Sequence, residues 1–202
     1  MRTLGALIFP GFELLDMFGP LEIFGLLSDE IEIQMVAEQP EPVPSGGGPR
    51  TAIDDLIANQ DEYDIILVPG GGGTRREIGN QALLDWIVRA SANAELTSSV
   101  CTGSALLAKA GVLDGRKATT NKASYQWATS QGPNVKWQAQ ARWVEDGKFW
   151  TSSGVSAGTD MALAIVDRLF GRDVAEKVAT IAEYDWHRDP AWDPFAKIHG
   201  LV

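Results

Sequence analysis

The residues best suited to chemistry are Cys101, Asp16 and the glycine run Gly70-Gly71-Gly72-Gly73. Cys101 is the only cysteine of the chain and stands between two hydrophobic periodicities. Leu96 to Val100 reads as a short buried strand, whereas Ala105, Leu106, Leu107 and Ala108 are helix formers closed by Gly111. A thiol at a strand-to-helix junction faces the free N–H groups of the helix's first turn. Those groups and the helix dipole favour thiolate, the form that attacks electrophiles. The same stretch also fits a small buried hydrophobe. Asp16 follows the first apolar run beside Phe12, Leu15 and Phe18, surroundings that would raise its pKa and keep it protonated near neutral pH. An N-cap or turn acid is the plainer reading of Asp16, and Glu22, inside the following helix, is the rival acid. The glycine run would let backbone N–H groups turn toward an anion. It lacks the spacing of a dinucleotide fingerprint and the Lys-Ser/Thr of a P-loop, so a plain turn is its other reading. Nucleophile, proton donor and anion stabiliser are the parts of nucleophilic catalysis.

These residues need a frame that brings them to one edge. Thr3 to Phe9 and Tyr63 to Val68 are continuous apolar runs, as in strands buried on both faces of a parallel sheet, and Ile31 to Ala37 alternates as a further strand. The apolar spacing of Leu21, Phe24 and Leu27 predicts a helix starting near Pro20, which leaves Asp16 in a loop. Pro40 to Pro49 is a Pro/Gly-rich connection, and Gln81 to Ala94 an amphipathic helix. Lys117 to Thr120 reads as a short strand and Ala123 to Thr129 as a short helix. Val135 to Val144 and Lys148 to Thr151, joined by Glu145-Asp146-Gly147, read as a hairpin. A helix opens near Ser152 to Asp160 and ends at Gly171, and Asp173 to Trp186 forms the last one. The aromatic, Pro-rich tail from Asp185 to Phe195 reads as a strap over the core, the alternative being a pocket wall or dimer contact. In such an α/β sheet, ligands bind at the carboxyl ends of the strands, where Asp16 and Cys101 would both lie.

With 202 residues, 45% hydrophobic content and seven Trp, the expectation is a single domain, residues 1–202, with a substantial core. One cysteine makes no internal disulfide, and with only His187 and His199 there is no Cys/His cluster of metal spacing, so no metal or cofactor is expected. A reducing cytoplasm fits best. The first ten residues read as a strand and not a signal peptide, and no apolar run reaches the roughly 18 residues of a membrane span. A net charge of −10 argues against nucleic acid as partner and favours a small neutral ligand.

Taken together, the motifs resemble the ThiJ/PfpI superfamily over nearly the entire chain. They are Leu7-Ile-Phe-Pro-Gly-Phe-Glu-Leu-Leu-Asp16, Gly19-Pro-Leu-Glu22, Leu67-Val-Pro-Gly-Gly71, Val100-Cys-Thr-Gly-Ser104, Gly111-Val-Leu-Asp-Gly115, Lys117-Ala-Thr-Thr120 and Ser153-Gly-Val-Ser-Ala-Gly158. The resemblance implies the glutamine amidotransferase-like, flavodoxin-like fold: a doubly wound α/β domain whose mostly parallel sheet is flanked by helices, with the cysteine at a nucleophile elbow. Protease- and glyoxalase-like members follow the cysteine with His, and Thr102 stands there in this chain. Leu15-Asp16 with Cys101-Thr102-Gly103 resembles the isocyanide hydratase branch instead. That similarity implies attack of Cys101 on the terminal carbon of a small isocyanide, proton donation by Asp16 to give a thioimidate, and release of an N-formamide by water, without a cofactor. It further implies charge stabilisation by backbone N–H groups at Gly71, Gly72 and Thr102, water ordering by the Thr102 hydroxyl, a pocket wall of Ser153 and Val155, and a homodimer. Asn121 departs from the His that many relatives carry after Lys/Arg-Ala-Thr-Thr, and Ser153 from a frequent Gly. The alternatives are a redox-responsive protein whose Cys101 is oxidised, a glyoxalase or deglycase, and a regulator's sensor domain. For the last, the expected helix-turn-helix is not found before Val202.

Overall fold

In the computed structural model, which describes residues 1–202, the chain runs in order through nineteen elements. They are β1 (Arg2–Leu7), α1 (Leu14–Gly25), β2 (Ile31–Ala37), β3 (Val43–Pro44), β4 (Arg50–Thr51), β5 (Asp55–Leu56), β6 (Ile65–Val68), α2 (Thr74–Glu77), α3 (Gln81–Asn93) and β7 (Leu96–Val100). There follow α4 (Gly103–Lys109), β8 (Lys117–Ala118), α5 (Tyr125–Thr129), β9 (Lys136–Trp137), β10 (Trp143–Asp146), β11 (Phe149–Ser152), α6 (Ala157–Phe170), α7 (Arg172–Ile181) and α8 (Phe195–Ile198). Seven strands form one sheet in the order β10-β11-β7-β6-β1-β2-β5, parallel throughout except for the β10–β11 hairpin. β2 joins one side of β1 and β6 the other, so the winding direction reverses at β1. The carboxyl ends of β1, β6 and β7 therefore open a crevice at the switch point. Asp16 follows β1, Gly70 follows β6, and Cys101 ends β7.

Continuous burial of β6 and of the last four residues of β1 explains why those runs carry no polar alternation. α3 buries the stripe Leu83, Leu84, Trp86, Ile87 and Ala90, as its periodicity predicts. α1 differs from expectation: it begins at Leu14, so Asp16 sits in its first turn and Pro20 lies inside the helix. Pro20 lacks the N–H that would bond the Asp16 carbonyl four residues back. α1 packs closely on α6 there, since a Cβ at Gly19 would stand 2.7 Å from Thr159 Oγ1 and one at Gly158 would stand 3.3 Å from Pro20 Cγ. The hairpin turns at Gly147, whose φ of 64° favours glycine. The long strand expected over 135–144 breaks instead, with β9 pairing β8 and only Trp143–Asp146 pairing β11.

The last long helix stops at Ile181, short of Trp186, and the tail beyond it lies across the core as a strap. Two buried ion pairs dock it. Arg142 Nε donates to Asp160 Oδ2 at 2.6 Å, while Asp160 accepts from the His187 N–H at 2.9 Å and its carbonyl from Trp186 Nε1 at 3.2 Å. Lys122 Nζ stands 3.1 Å from Asp193 Oδ2 and donates to Thr119 Oγ1 at 2.6 Å and the Ala141 carbonyl at 2.9 Å. No helix of the structure is long and apolar enough to cross a membrane.

Removing one member of such a pair leaves the other charge buried without compensation. Asp193→Ala is expected to cost about 3–5 kcal/mol in urea unfolding, and Lys122→Met with Asp193→Leu together much less. A single-variant loss below about 1 kcal/mol would show that the strap is not held by the pair.

Candidate active site

Cys101 occupies a left-handed backbone conformation, φ 57°, at the point where β7 turns into α4. A side chain in that region costs roughly 1–2 kcal/mol, so the surroundings must hold it. They do so at both backbone groups. The Cys101 N–H is shared between the carbonyls of Ser152 (3.2 Å) and Ser153 (3.1 Å), and its own carbonyl accepts from Ser104 Oγ (3.0 Å) and Thr120 Oγ1 (3.1 Å). The Ser153 N–H in turn donates to the Arg142 carbonyl, and the Arg142 N–H to Pro190 in the strap, both at 2.7 Å. The strap is thus three backbone hydrogen bonds from the cysteine. A second strained residue faces it: Val155, φ 47°, a rare conformation for a β-branched side chain. The backbone N–H groups of Val155 and Thr102 and the Thr102 hydroxyl lie close enough to the Cys101 sulfur to pull its pKa down.

Asp16 is fully buried; its Oδ2 accepts the Gly70 N–H at 2.9 Å, and its carboxyl lies beside the Cys101 side chain. Oδ1 has no hydrogen-bond partner. Leu15 and Phe18, expected to shelter the acid, are instead 45% and 42% exposed. What shelters Asp16 is the β6 end and Thr102: a Cβ on Gly70 would stand 2.5 Å from Thr102 N, 2.7 Å from Thr102 Oγ1 and 2.8 Å from Asp16 Oδ2. Burial pushes the Asp16 carboxyl up to about 7; the Gly70 and Cys101 hydrogen bonds oppose the rise, and the Glu13 charge adds to it.

The thiol moves the other way from the expectation that a helix N-terminus favours thiolate. Burial, with the Asp16 charge second, pushes Cys101 up to about 12, against the lowering pull of the Thr102 and Val155 N–H groups. The donors are present as expected, but a dry site and an adjacent carboxylate outweigh them. Acid and thiol therefore act as a pair, holding two protons at low pH and one over a wide range above about 7.

The remaining predicted site residues divide. The Gly71 N–H points to Thr102 Oγ1 at 3.1 Å and so is occupied, and Gly72 is exposed with open space around it. The donors that reach the sulfur are Thr102 and Val155, and Gly70 serves the acid. Ser153, Val155 and Asn121 line a cavity of about 240 Å3 that Phe195 and His199 of the strap help to close. A larger cavity of about 560 Å3, between Phe9, Val43 and Leu83, includes none of the site residues. Sequence reasoning named the glycine run without singling out Gly70 as the partner of the acid, and it missed the clamp of Ser104 and Thr120. Both lie within motifs quoted above, but nothing in their spacing says which hydroxyl reaches the Cys101 carbonyl.

A nucleophile elbow on this sheet, with an acid from the first turn of α1 beside it, defines a class of protein, and comparison gives the class a family. The DJ-1/PfpI family matches residues 4–168, and the chain belongs to it. Over 185 residues, 90% of this chain and 78% of the relative, it is 35% identical to an isonitrile hydratase of Pseudomonas putida. The crystal structure of a ThiJ/PfpI family protein from Pseudomonas syringae superposes with a TM-score of 0.85 at 30% identity, covering 95% of this chain and 78% of that one. The HTH-type transcriptional regulator CdhR of Pseudomonas aeruginosa is 29% identical over 140 residues, 66% of this chain but 41% of the regulator.

Two stability measurements check the site's electrostatics and packing. Because the folded acid binds its proton more tightly than the unfolded one, Asp16 stabilises the fold fully below its unfolded value of 3.8, and that contribution is lost as pH rises through about 7. The advantage of Asp16→Asn over wild type should therefore grow between pH 4 and 7 and level off above, at up to about 4 kcal/mol. An advantage that does not change with pH would contradict the raised value. Gly70→Ala should cost about 1–3 kcal/mol by overpacking, whereas Gly72→Ala, with nothing within 4 Å, should stay within about 0.5 kcal/mol. Equal effects at the two glycines in the same denaturation assay would remove Gly70 from the account.

Proposed function

We propose that the protein is an isocyanide hydratase, converting small isocyanides to N-formamides. The observation that carries this reading is the buried, adjacent pair of Asp16 and Cys101 with no imidazole acting on the sulfur. The 35% identity to an isonitrile hydratase supports it. The terminal carbon of an isocyanide is an electrophile that needs both a nucleophile and a proton at the same atom. The singly protonated pair offers that combination as thiolate and carboxylic acid. Sulfur bonds to the carbon, Asp16 protonates that carbon, and a thioimidate, R–N=CH–S–Cys101, results. Water then adds across the C=N bond, its hydroxyl to carbon and its proton to nitrogen. The adduct collapses with cleavage of the C–S bond, releasing R–NH–CHO, and its hydroxyl proton returns to the pair. Thr102 and Val155 N–H groups stabilise the sulfur whenever it carries charge. As proposed, the enzyme works as one domain over residues 1–202, without a cofactor, as a homodimer in the cytoplasm. A glyoxalase or deglycase would use His beside the thiol, where this chain has Thr102, and no observation favours peroxide sensing over turnover.

Absorbance of p-nitrophenyl isocyanide turning over to its formamide tests the reading. Wild type should be active, Cys101→Ala inactive, and Asp16→Asn reduced by roughly 100-fold or more, as for loss of a general acid. Because the reacting form is the singly protonated pair, kcat/KM should fall about tenfold per pH unit below about 7 and be level above it. No wild-type turnover, or full activity in Cys101→Ala, would overturn the proposal, and a flat profile from pH 5 to 9 would overturn the shared-proton mechanism.

A further inference from the structure

The sequence holds 27 acidic and 17 basic side chains, yet Gly115 to Arg142 contains Arg116, Lys117, Lys122, Lys136 and Arg142 and no Asp or Glu at all. This acid-free segment adjoins the elbow: Thr120 Oγ1 donates to the Cys101 carbonyl at 3.1 Å, and a Cβ on Gly154 would stand 2.4 Å from Asn121 Nδ2. Arg116, Lys122 and Arg142 are neutralised by Asp146, Asp193 and Asp160 from outside it. Arg75, which α2 brings against the segment, has no carboxylate within ion-pair distance. Its guanidinium carbon lies 4.4 Å from the centre of the Trp127 ring, and Nη2 donates to Ser124 Oγ at 3.3 Å. A guanidinium carries several donors in a planar fork, and this is the only side-chain hydrogen bond that Arg75 makes.

Two adjoining cavities run from the cysteine's surroundings to this arginine. The cavity of about 240 Å3 beside Ser153 and Val155 shares Lys122 and His199 with one of about 270 Å3 that Arg75 and Trp127 line. No Asp or Glu lines either of them, and Glu13, whose charge reaches Asp16, belongs to neither. A net charge of −10 disfavours anions over the surface as a whole, but a cleft lined by one sign of charge draws in the opposite one, and here the lining sign is positive. The open edge of an arginine fork matches the two oxygens of a carboxylate. We propose that Arg75 is a specificity-determining residue that binds a carboxylate on the molecule reacting at Cys101, with the body of that molecule in the two cavities. On the hydratase reading, on which the identity of the reacting group rests, the preferred substrates are isocyanides that carry a carboxylate.

Nitro and carboxylate groups are both planar and similar in size, so p-nitroformanilide and 4-formamidobenzoate, the formamides of the matching isocyanides, differ chiefly in charge. Their dissociation constants are measured by calorimetry for wild type, Arg75→Gln and, as a control for overall charge, Arg50→Gln, an arginine that lines a different cavity and also lacks an ion pair. Arg75 is exposed, and circular dichroism checks that its variant is folded. Wild type and Arg50→Gln should bind the carboxylate roughly tenfold tighter than the nitro compound, the effect of one hydrogen bond between charged groups. Arg75→Gln should bring the two compounds within about twofold of each other while leaving the affinity for the nitro compound unchanged. In turnover, Arg75→Gln should lower kcat/KM for 4-isocyanobenzoate about tenfold and leave that for p-nitrophenyl isocyanide as in wild type. No preference for the carboxylate in wild type, or a preference that survives in Arg75→Gln, would overturn the proposal. A carboxylate preference that follows Arg75, without turnover of either isocyanide, would overturn the hydratase reading and leave the anion site standing.

Discussion

The site depends on one proton held between two buried groups. Asp16 accepts a single backbone hydrogen bond, from Gly70, and lies beside the Cys101 side chain, whose pKa the nearby Thr102 and Val155 N–H groups pull down. Neither group is well solvated as an anion. Desolvation raises both, and because each is the other's neighbour, ionising one discourages ionising the second. The result is a nucleophile made ready by removing alternatives. The pair keeps one negative charge over a wide pH range and chooses only which atom bears it. That arrangement needs a dry site, and dryness is what the β6 end and Thr102 supply.

Dryness and strain have to be held by the rest of the fold. The left-handed turn at Cys101 is gripped at its N–H by Ser152 and Ser153 and at its carbonyl by Ser104 and Thr120. Behind Thr120 lies Lys122, tied to Asp193, and behind Ser153 lies Arg142, tied to Asp160 and to Pro190. The two buried ion pairs thus converge, from the C-terminal strap, on the two backbone groups of a single residue. Ion pairs that cost desolvation energy are retained where they fix a geometry. Here that geometry is a cysteine in a conformation it would not adopt alone.

Much of this was legible in the sequence. The buried runs of β1, β6 and β7 and the helical stripe of α3 have periods that burial alone imposes, and they bring Asp16 and Cys101 to the same edge. The start of α1 was not legible, because Pro20 reads locally as a first-turn residue and only packing of Gly19 and Gly158 between α1 and α6 overrides it. The thiol's electrostatics were misjudged for a related reason. N–H donors at an elbow follow from local chain geometry, but desolvation is a sum over distant segments. Gly70, rather than Gly71 or Gly72, meets the acid because of the β6 register, and a run of four identical residues cannot display that. The strap was readable as a strap from its aromatic content, whereas its connection to Cys101 rests on pairings between residues dozens of positions apart.

The most direct test of the account is the ionisation of Asp16 itself, read from the carboxyl carbon shift of 13C-labelled aspartate, assigned by comparison with Asp16→Asn. This resonance should titrate near pH 7 in the resting protein. Titration at an ordinary carboxylate value near 4 would mean the acid is charged throughout the working range, and the shared-proton pair would not exist.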